Sequence, residues 1–153
     1  MDYVIQPLTA ADEPILWEMV YQALRTSHET PRDIVQQPEY ARYVEGWGRA
    51  GDTGFVAYDA QRRDELLGAA WFRVPPDQGA DEPIRELGFA VTSGHRKRGI
   101  GAALLTQLVK ANPQCSAVSI SAPPNNPTVR LYERFGFKIV EQSDQAVTMK
   151  REI

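Results

Sequence analysis

The segment from Gly94 to Gly101 combines residue types that can hold a phosphate group. It reads Gly-His-Arg-Lys-Arg-Gly-Ile-Gly and is expected to join a strand to the first turn of a helix. That first turn leaves backbone N–H groups free and carries a partial positive charge, and glycine lets a ligand approach the backbone closely. Residues 92–112 contain four cationic side chains and no acid, so a pyrophosphate would fit there. A glycine-rich turn with a solvated basic rim is an equally open interpretation.

Two common phosphate-binding loops are excluded by their spacing. A Walker loop needs a lysine directly after its second glycine, but Ile100 follows Gly99. A dinucleotide-binding loop needs a third glycine three residues after Gly101, but Leu104 stands there.

The elements around this segment follow from hydrophobic spacing. A strand of low polarity is predicted over residues 86–91, a helix over 99–111 and another strand over 117–122. A strand, helix and strand in succession favour a parallel strand pair with a right-handed crossover. A second helix is predicted over 127–135, because Asn126-Pro127 is a typical helix start and Gly136 a typical end.

The rest of the chain alternates between short strands and helices. The predicted order is β-α-α-β-β-β-α-β-α-β-β, which indicates an α/β fold with a mixed, mostly antiparallel central sheet and helices on both faces. The remaining predicted strands cover residues 3–9, 54–58, 66–74, 137–141 and 146–150, and the remaining helices cover 12–24 and 33–47, the second interrupted or restarted near Pro38.

Composition limits the classes of protein to which the chain can belong. Its 153 residues are 42% hydrophobic and 24% charged, which predicts one globular domain over residues 1–153. The net charge of −3 argues against nucleic-acid and membrane partners. The longest apolar run, residues 66–72, is too short to span a bilayer and no signal peptide is visible, so a cytoplasmic protein is expected. One cysteine and two histidines are too few to predict a metal site.

Two segments resemble the motifs of the GCN5-related N-acetyltransferase (GNAT) family. Arg96-Lys-Arg-Gly-Ile-Gly-Ala102 matches the family's Arg/Gln-x-x-Gly-x-Gly/Ala motif. Residues 125–137 resemble its Asn-x-x-Ala-x-x-Leu-Tyr-x-x-x-Gly-Phe segment, although Thr128 replaces the usual alanine. The resemblance implies a GNAT-like fold and an acyl-CoA donor, usually acetyl-CoA, bound in a V-shaped gap between two parallel strands.

The resemblance also assigns cofactor-binding residues. The pyrophosphate would lie on the backbone of the first motif, and the pantetheine arm would pair with the strand edge that ends at Val91. Asn125 would contact the same arm or orient its loop, although it could equally be a simple turn residue. The cofactor-binding residues implied by the resemblance are Phe89, Ala90, Val91, Arg96, Lys97, Arg98, Gly99, Ile100, Gly101, Ala102, Asn125 and Tyr132.

Acyl transfer to an amine makes three demands on such a site. A base must help to remove the proton of the amine, and Glu86 is the candidate because it begins the strand that leads to the cofactor. A backbone N–H, that of Val91 or a neighbour, must meet the thioester oxygen. Tyr132 matches the tyrosine that protonates the departing thiolate in many family members. Glu86 could instead face solvent, and Tyr132 could be a buried aromatic, although Leu131 and Phe135 are expected to fill that structural role.

These assignments predict an enzyme that transfers an acetyl group to the primary amine of a small molecule by direct attack in a ternary complex. Aromatic residues between Trp17 and Trp47 would shape the acceptor site, although most of them are expected to belong to the core. A protein or peptide N-acetyltransferase and a non-catalytic acyl-CoA-binding sensor are the alternatives. No nucleic-acid partner, membrane or metal is expected, and a homodimer stays open.

Overall fold

The computed structural model contains one seven-stranded sheet with helices on both faces. It describes residues 3–24, 31–49, 51–62, 65–74, 84–92, 99–120, 124–125, 127–144 and 146–151. The strands are β1 (Tyr3–Pro7), β2 (Thr53–Asp59), β3 (Leu66–Arg73), β4 (Ile84–Val91), β5 (Ala117–Ile120), β6 (Lys138–Gln142) and β7 (Val147–Lys150). The helices are α1 (Glu13–Leu24), α2 (Pro38–Ala41), α3 (Ile100–Ala111) and α4 (Pro127–Arg134), with short 3-10 turns at Ala10–Asp12 and Arg32–Gln36.

The strand order across the sheet is β1-β2-β3-β4-β5-β7-β6. Strands β4 and β5 pair in parallel, and all other neighbours pair antiparallel. The predicted element order and the mixed, mostly antiparallel sheet are therefore confirmed. Among the described residues, no helix is long and apolar enough to cross a membrane.

The two faces of the sheet bury different helices. On the first, which we call the α3 face, Leu87 of β4 packs with Val118 and Ile120 of β5 against α3 and α4. On the second, the α1 face, Trp71 of β3 and Ala90 of β4 pack against α1. Because side chains alternate along a strand, Glu86 lies on the α1 face with Gly88 and Ala90, as the sequence parity predicts.

The predicted helix over residues 33–47 is interrupted near Pro38, as expected, but its second part ends at Ala41 rather than at Trp47. The structure has a 3-10 turn at Arg32–Gln36, an extended Gln37 and then the short α2. Proline disfavours the helical conformation in the residue before it and suits the first helical position, so Pro38 both ends the first turn and begins the second. The chain then turns to Gly46, whose φ of 72° is left-handed.

Local signals placed the ends of the other helices well. Helix α3 begins directly after Gly99 and α4 ends before Gly136, and both glycines have a positive φ. At the end of α4 the N–H of Phe137 donates to the carbonyl of Tyr132 at 3.2 Å, a hydrogen bond typical of helices that end on a left-handed glycine.

Gly88 is required by the indole of Trp71, which lies beside it on the neighbouring strand. A Cβ at position 88 would lie 2.2–2.6 Å from three atoms of that ring. We expect Gly88→Ala to lower the free energy of unfolding by about 1–3 kcal/mol, the usual cost of overpacking, measured by urea denaturation.

The same substitution in a Trp71→Leu background isolates this clash. Without the indole ring, the added methyl has room, so Gly88→Ala should then cost clearly less than in the wild type. Equal costs in both backgrounds would show that the ring is not what excludes a side chain at position 88.

Candidate functional site

In the described part of the chain, the parallel strands β4 and β5 pair over four residues. Ile84 to Leu87 pair with Ala117 to Ile120, whereas β4 continues to Val91 beside β3. In the part of the chain that the structure describes, no strand pairs with the other edge of residues 88–90. Backbone N–H and C=O groups need partners, so this edge can accept an extended ligand. The predicted binding residues Phe89 and Ala90 lie on this stretch, and Val91 follows it directly.

The first turn of α3 contains the described half of the predicted phosphate-binding segment. Gly99 precedes it with φ 77° and ψ 4°, and no side chain caps the helix. Ile100, Gly101 and Ala102 occupy the first turn, where backbone N–H groups have no partner within a helix and the helix dipole is positive. The cationic residues Arg96, Lys97 and Arg98 lie outside the described residues.

Gly101 allows α3 to pack closely on β4. A Cβ at this position would lie 2.8 Å from Cζ of Phe89 and 3.5 Å from Cγ2 of Val91. The sequence did not predict this packing role, because it indicated only that glycine lets a ligand approach the backbone. The contact brings the first turn of α3 against the stretch of β4 that extends past β5.

Tyr132 lies in the core of the α3 face with none of its surface exposed. Its ring meets that of Phe137 edge-on, with centroids 5.4 Å apart. Leu131 and Phe135, which were expected to be the buried aliphatic and aromatic anchors of this helix, are only partly buried. That expectation about α4 is therefore wrong, because helical spacing gives the angle between side chains but not which of them faces the sheet.

The hydroxyl of Tyr132 is chemically unusual in this position. It is the buried side-chain polar atom for which the described residues provide no hydrogen-bond partner. Burial raises the pKa of this phenol well above its ordinary value, and the nearby Cys115 thiol adds to the effect. The hydroxyl therefore remains protonated at any physiological pH.

Glu86 lies on the α1 face and is buried, so the alternative interpretation, a carboxylate that faces solvent, is wrong. Its carboxylate forms an ion pair with Arg42, in the turn that follows α2. The side chains of Glu86 and Tyr132 thus lie on opposite faces of the sheet. Glu86 pairs in register with Ser119, one residue before the last β4–β5 pair.

A second ion pair on the α1 face holds the turn that carries Arg42. Arg73 contacts both carboxylate oxygens of Asp52 at 3.1 Å and donates to the carbonyls of Glu45 at 2.8 Å and Arg42 at 3.3 Å. The indole N–H of Trp71 donates to the carbonyl of Tyr43 at 2.8 Å. Two side chains of β3 therefore fix three carbonyls of one turn.

One residue type in the sequence points to this ion pair, which the sequence analysis did not predict. Arg73 is a charged residue at the end of an otherwise apolar strand, and such a residue is rarely buried without a carboxylate partner. The identity of the partner could not be read from the sequence, since Asp52 lies 21 positions away.

The aromatic residues proposed for the acceptor site all belong to, or pack against, the core of the α1 face. Tyr21 and Trp47 are buried there, and Trp17, Tyr40 and Tyr43 are partly buried. Trp17 and Tyr21 line an open cavity of about 520 Å³ between α1 and the 3-10 turn at Arg32–Gln36, together with Glu13, Pro14, Glu18, Arg32 and Val35. The other predicted site residue, Asn125, lies exposed in the turn before α4.

Comparisons with known proteins agree with this geometry. The family model described as Acetyltransferase (GNAT) family matches residues 17–137. A phosphinothricin N-acetyltransferase of Streptomyces viridochromogenes is 28% identical over 136 residues, which cover 87% of this chain and 73% of that protein.

Solved structures share the fold at lower identity. The structure of histone acetyltransferase HPA2 and related acetyltransferase from Corynebacterium glutamicum has a TM-score of 0.69 at 19% identity, covering 100% of this chain and 98% of the other. A GNAT superfamily phosphinothricin acetyltransferase from Sinorhizobium meliloti, in complex with AcCoA, has a TM-score of 0.66 at 18% identity, covering 99% of this chain and 88% of the other.

Because no described residue bonds to the hydroxyl of Tyr132, we predict an unusual stability effect. Because a buried polar group without a partner is unfavourable, we expect Tyr132→Phe to raise the free energy of unfolding at pH 7 by about 1 kcal/mol. Because the pKa of Tyr132 is raised in the folded protein, the unfolded chain loses this proton at a lower pH. Above about pH 10 the free energy of unfolding of the wild type should therefore fall, relative to that of the variant, by up to about 1.4 kcal/mol per pH unit. Urea denaturation at pH 7 and pH 10.5 measures both effects. A variant less stable than the wild type at both pH values would show that the hydroxyl has a partner.

Proposed function

Since the chain belongs to the GNAT family of acetyltransferases, we propose that it transfers an acetyl group from acetyl-CoA to the primary amine of a small molecule. The observation that supports this most directly is the juxtaposition at the end of β4. Among the described residues, a strand edge without a partner strand lies beside the first turn of a helix, and a buried tyrosine hydroxyl without a hydrogen-bond partner lies in the core on the same face. The name of the Streptomyces viridochromogenes relative supports a small-molecule acceptor.

Three features of the chain fit the donor. The first turn of α3, from Ile100 to Ala102, would bind the pyrophosphate through backbone N–H groups. Residues 88–90 of β4 would pair with the amide groups of the pantetheine arm, and Asn125 would contact the same arm. When bound, acetyl-CoA supplies an acetyl thioester. The basic residues Arg96, Lys97 and Arg98 would add charge-assisted contacts to its phosphates.

The residues of the chain then have distinct tasks in the transfer. Glu86 takes a proton from the ammonium group, directly or through water, so that the nitrogen has a free electron pair. A backbone N–H at the end of β4, that of Val91 or a neighbour, donates to the thioester oxygen while the nitrogen–carbon bond forms and the carbon–sulphur bond breaks. Tyr132 donates its proton to the sulphur and regains one from the nitrogen. Overall, one proton ends on the thiol and one is released to solvent.

Ligand-induced stabilisation tests whether the chain binds the donor at α3. Acetyl-CoA at one hundred times its Kd should stabilise the protein by about 2.7 kcal/mol, or roughly 5–10 °C in melting temperature. Gly99→Glu should abolish this shift, because the substitution places a carboxylate at the helix N-terminus where the pyrophosphate would bind.

Gly136→Glu is the matched control for that experiment. Gly136 is also a left-handed glycine at a helix end, and a Cβ there would meet no atom within 4 Å. Both variants carry similar backbone strain, but Gly136→Glu should keep the acetyl-CoA shift. If both variants or neither lose the shift, the first turn of α3 is not the pyrophosphate site.

Turnover tests the role of Tyr132. Tyr132→Phe should lower kcat by about 100-fold with little change in the KM for acetyl-CoA, since the ring stays and only the proton donor is lost. Tyr58→Phe is the control, because Tyr58 lies on β2, two strands away from β4. Thiol release measures both. A kcat within twofold of the wild type would exclude Tyr132 as the acid.

A further inference from the structure

The ion pair between Arg42 and Glu86 carries one positive and one negative charge at the site of the transfer. We propose that this pair binds an acceptor that is itself a zwitterion, an α-amino acid whose ammonium group lies on Glu86 and whose carboxylate lies on Arg42. The inference rests on the proposed function and names its acceptor class.

The pair lies where an acceptor must approach. Glu86 precedes by one residue the last described β4–β5 pair, Leu87 with Ile120, and β4 continues from there to Val91. It projects from the α1 face, opposite the face on which Tyr132 is buried. An amine that attacks from the Glu86 side would therefore meet a thioester whose sulphur lies on the Tyr132 side.

The exposure of the pair differs from that of a purely structural ion pair. The side chains of Arg73 and Asp52, on the same face, are only 5% and 3% exposed. They bond to each other, and Arg73 also donates to carbonyls of the turn. Arg42 is 46% exposed, although its partner Glu86 is only 6% exposed. A guanidinium has five N–H donors in a planar fork, so Arg42 can hold Glu86 and still offer N–H groups to a carboxylate from solvent.

The turn that carries Arg42 is rigid enough to present it in one orientation. Arg73 holds the carbonyls of Arg42 and Glu45, and Trp71 holds that of Tyr43. The Arg42 guanidinium also lies 5.5 Å from the centroid of the Tyr43 ring. A preorganised charged group loses little entropy when a ligand binds, which favours recognition.

An α-amino acid matches the pair in both charge and spacing. Its amine and carboxylate are attached to one carbon, so its two charges are about as close as those of two side chains in contact. Each charge of the acceptor then meets the opposite charge of the protein, and Glu86 keeps a cationic partner in its buried position. An amine without a carboxylate would leave Arg42 without this second contact.

Matched probes test the proposal. A panel of L-amino acids that differ in side chain, each paired with its own carboxamide, is assayed by thiol release with acetyl-CoA. The carboxamide keeps the amine and the side chain but lacks the charge that Arg42 would hold. The measured quantity is kcat/KM for each amino acid divided by kcat/KM for its amide, compared between protein variants, so that the intrinsic reactivity of each probe cancels.

Arg42→Gln should lower this ratio about 10- to 100-fold, as expected for the loss of a charged hydrogen bond, and mainly through a higher KM for the amino acid. Arg42→Lys should restore part of the ratio, because it restores the charge without the planar fork. Arg62→Gln, which removes an exposed arginine of the β2–β3 hairpin, should leave the ratio unchanged. Melting temperatures establish that each variant is folded.

Two results would overturn the proposal. One is an equal loss for amino acids and amides in Arg42→Gln, which is what a merely structural ion pair would produce. The other is acetylation of simple amines or amides but of no amino acid in the panel. A failure of the proposed function is distinguishable, because then acetyl-CoA itself would not raise the melting temperature of the wild-type protein.

Discussion

The architecture depends on residues 88–90 of β4, which follow the described pairing of β4 with β5. A strand edge in the interior of a sheet needs hydrogen-bond partners, and residues 88–90 have a strand on one edge only in the described part of the chain. Glycines let the elements on both faces of the sheet pack closely around these residues. Gly88 makes room for Trp71 on one face, and Gly101 lets α3 lie against Phe89 on the other. Small residues thus hold the unpaired edge between two packed layers.

The site has an apolar environment on one face of the sheet and buried ion pairs on the other. On the α3 face, Tyr132 lies among apolar side chains, and burial raises the pKa of its hydroxyl so that the phenol stays neutral. On the α1 face, Glu86 and Arg73 are buried with ionic partners. This separation suits a reaction in which one group must give a proton and another must remove one, because the two groups do not neutralise each other.

Signals within a few residues predicted most of the fold. Gly99, Pro127 and Gly136 mark helix ends because their effects on the backbone are local, and the alternation along β4 correctly placed Glu86 opposite Leu87. Pairings between distant segments could not be predicted. The partner of Glu86 lies 44 positions earlier in the chain, on a turn whose place is set by Trp71 and Arg73. The orientation of α4 was likewise set by the sheet, which buries Tyr132 rather than Leu131.

The contrast between the two ion pairs of the α1 face connects stability with function. A buried ion pair gains little stability overall, because the desolvation of both charges offsets their attraction, but it is costly to break. Arg73 and Asp52 therefore specify where the turn lies more than they strengthen the fold. In the second pair the carboxylate of Glu86 is desolvated in the same way, but about half of the Arg42 side chain remains exposed to water. A charged group held rigidly in this way adds little to the stability of the fold but can bind a ligand of opposite charge, which is what is expected of a binding group.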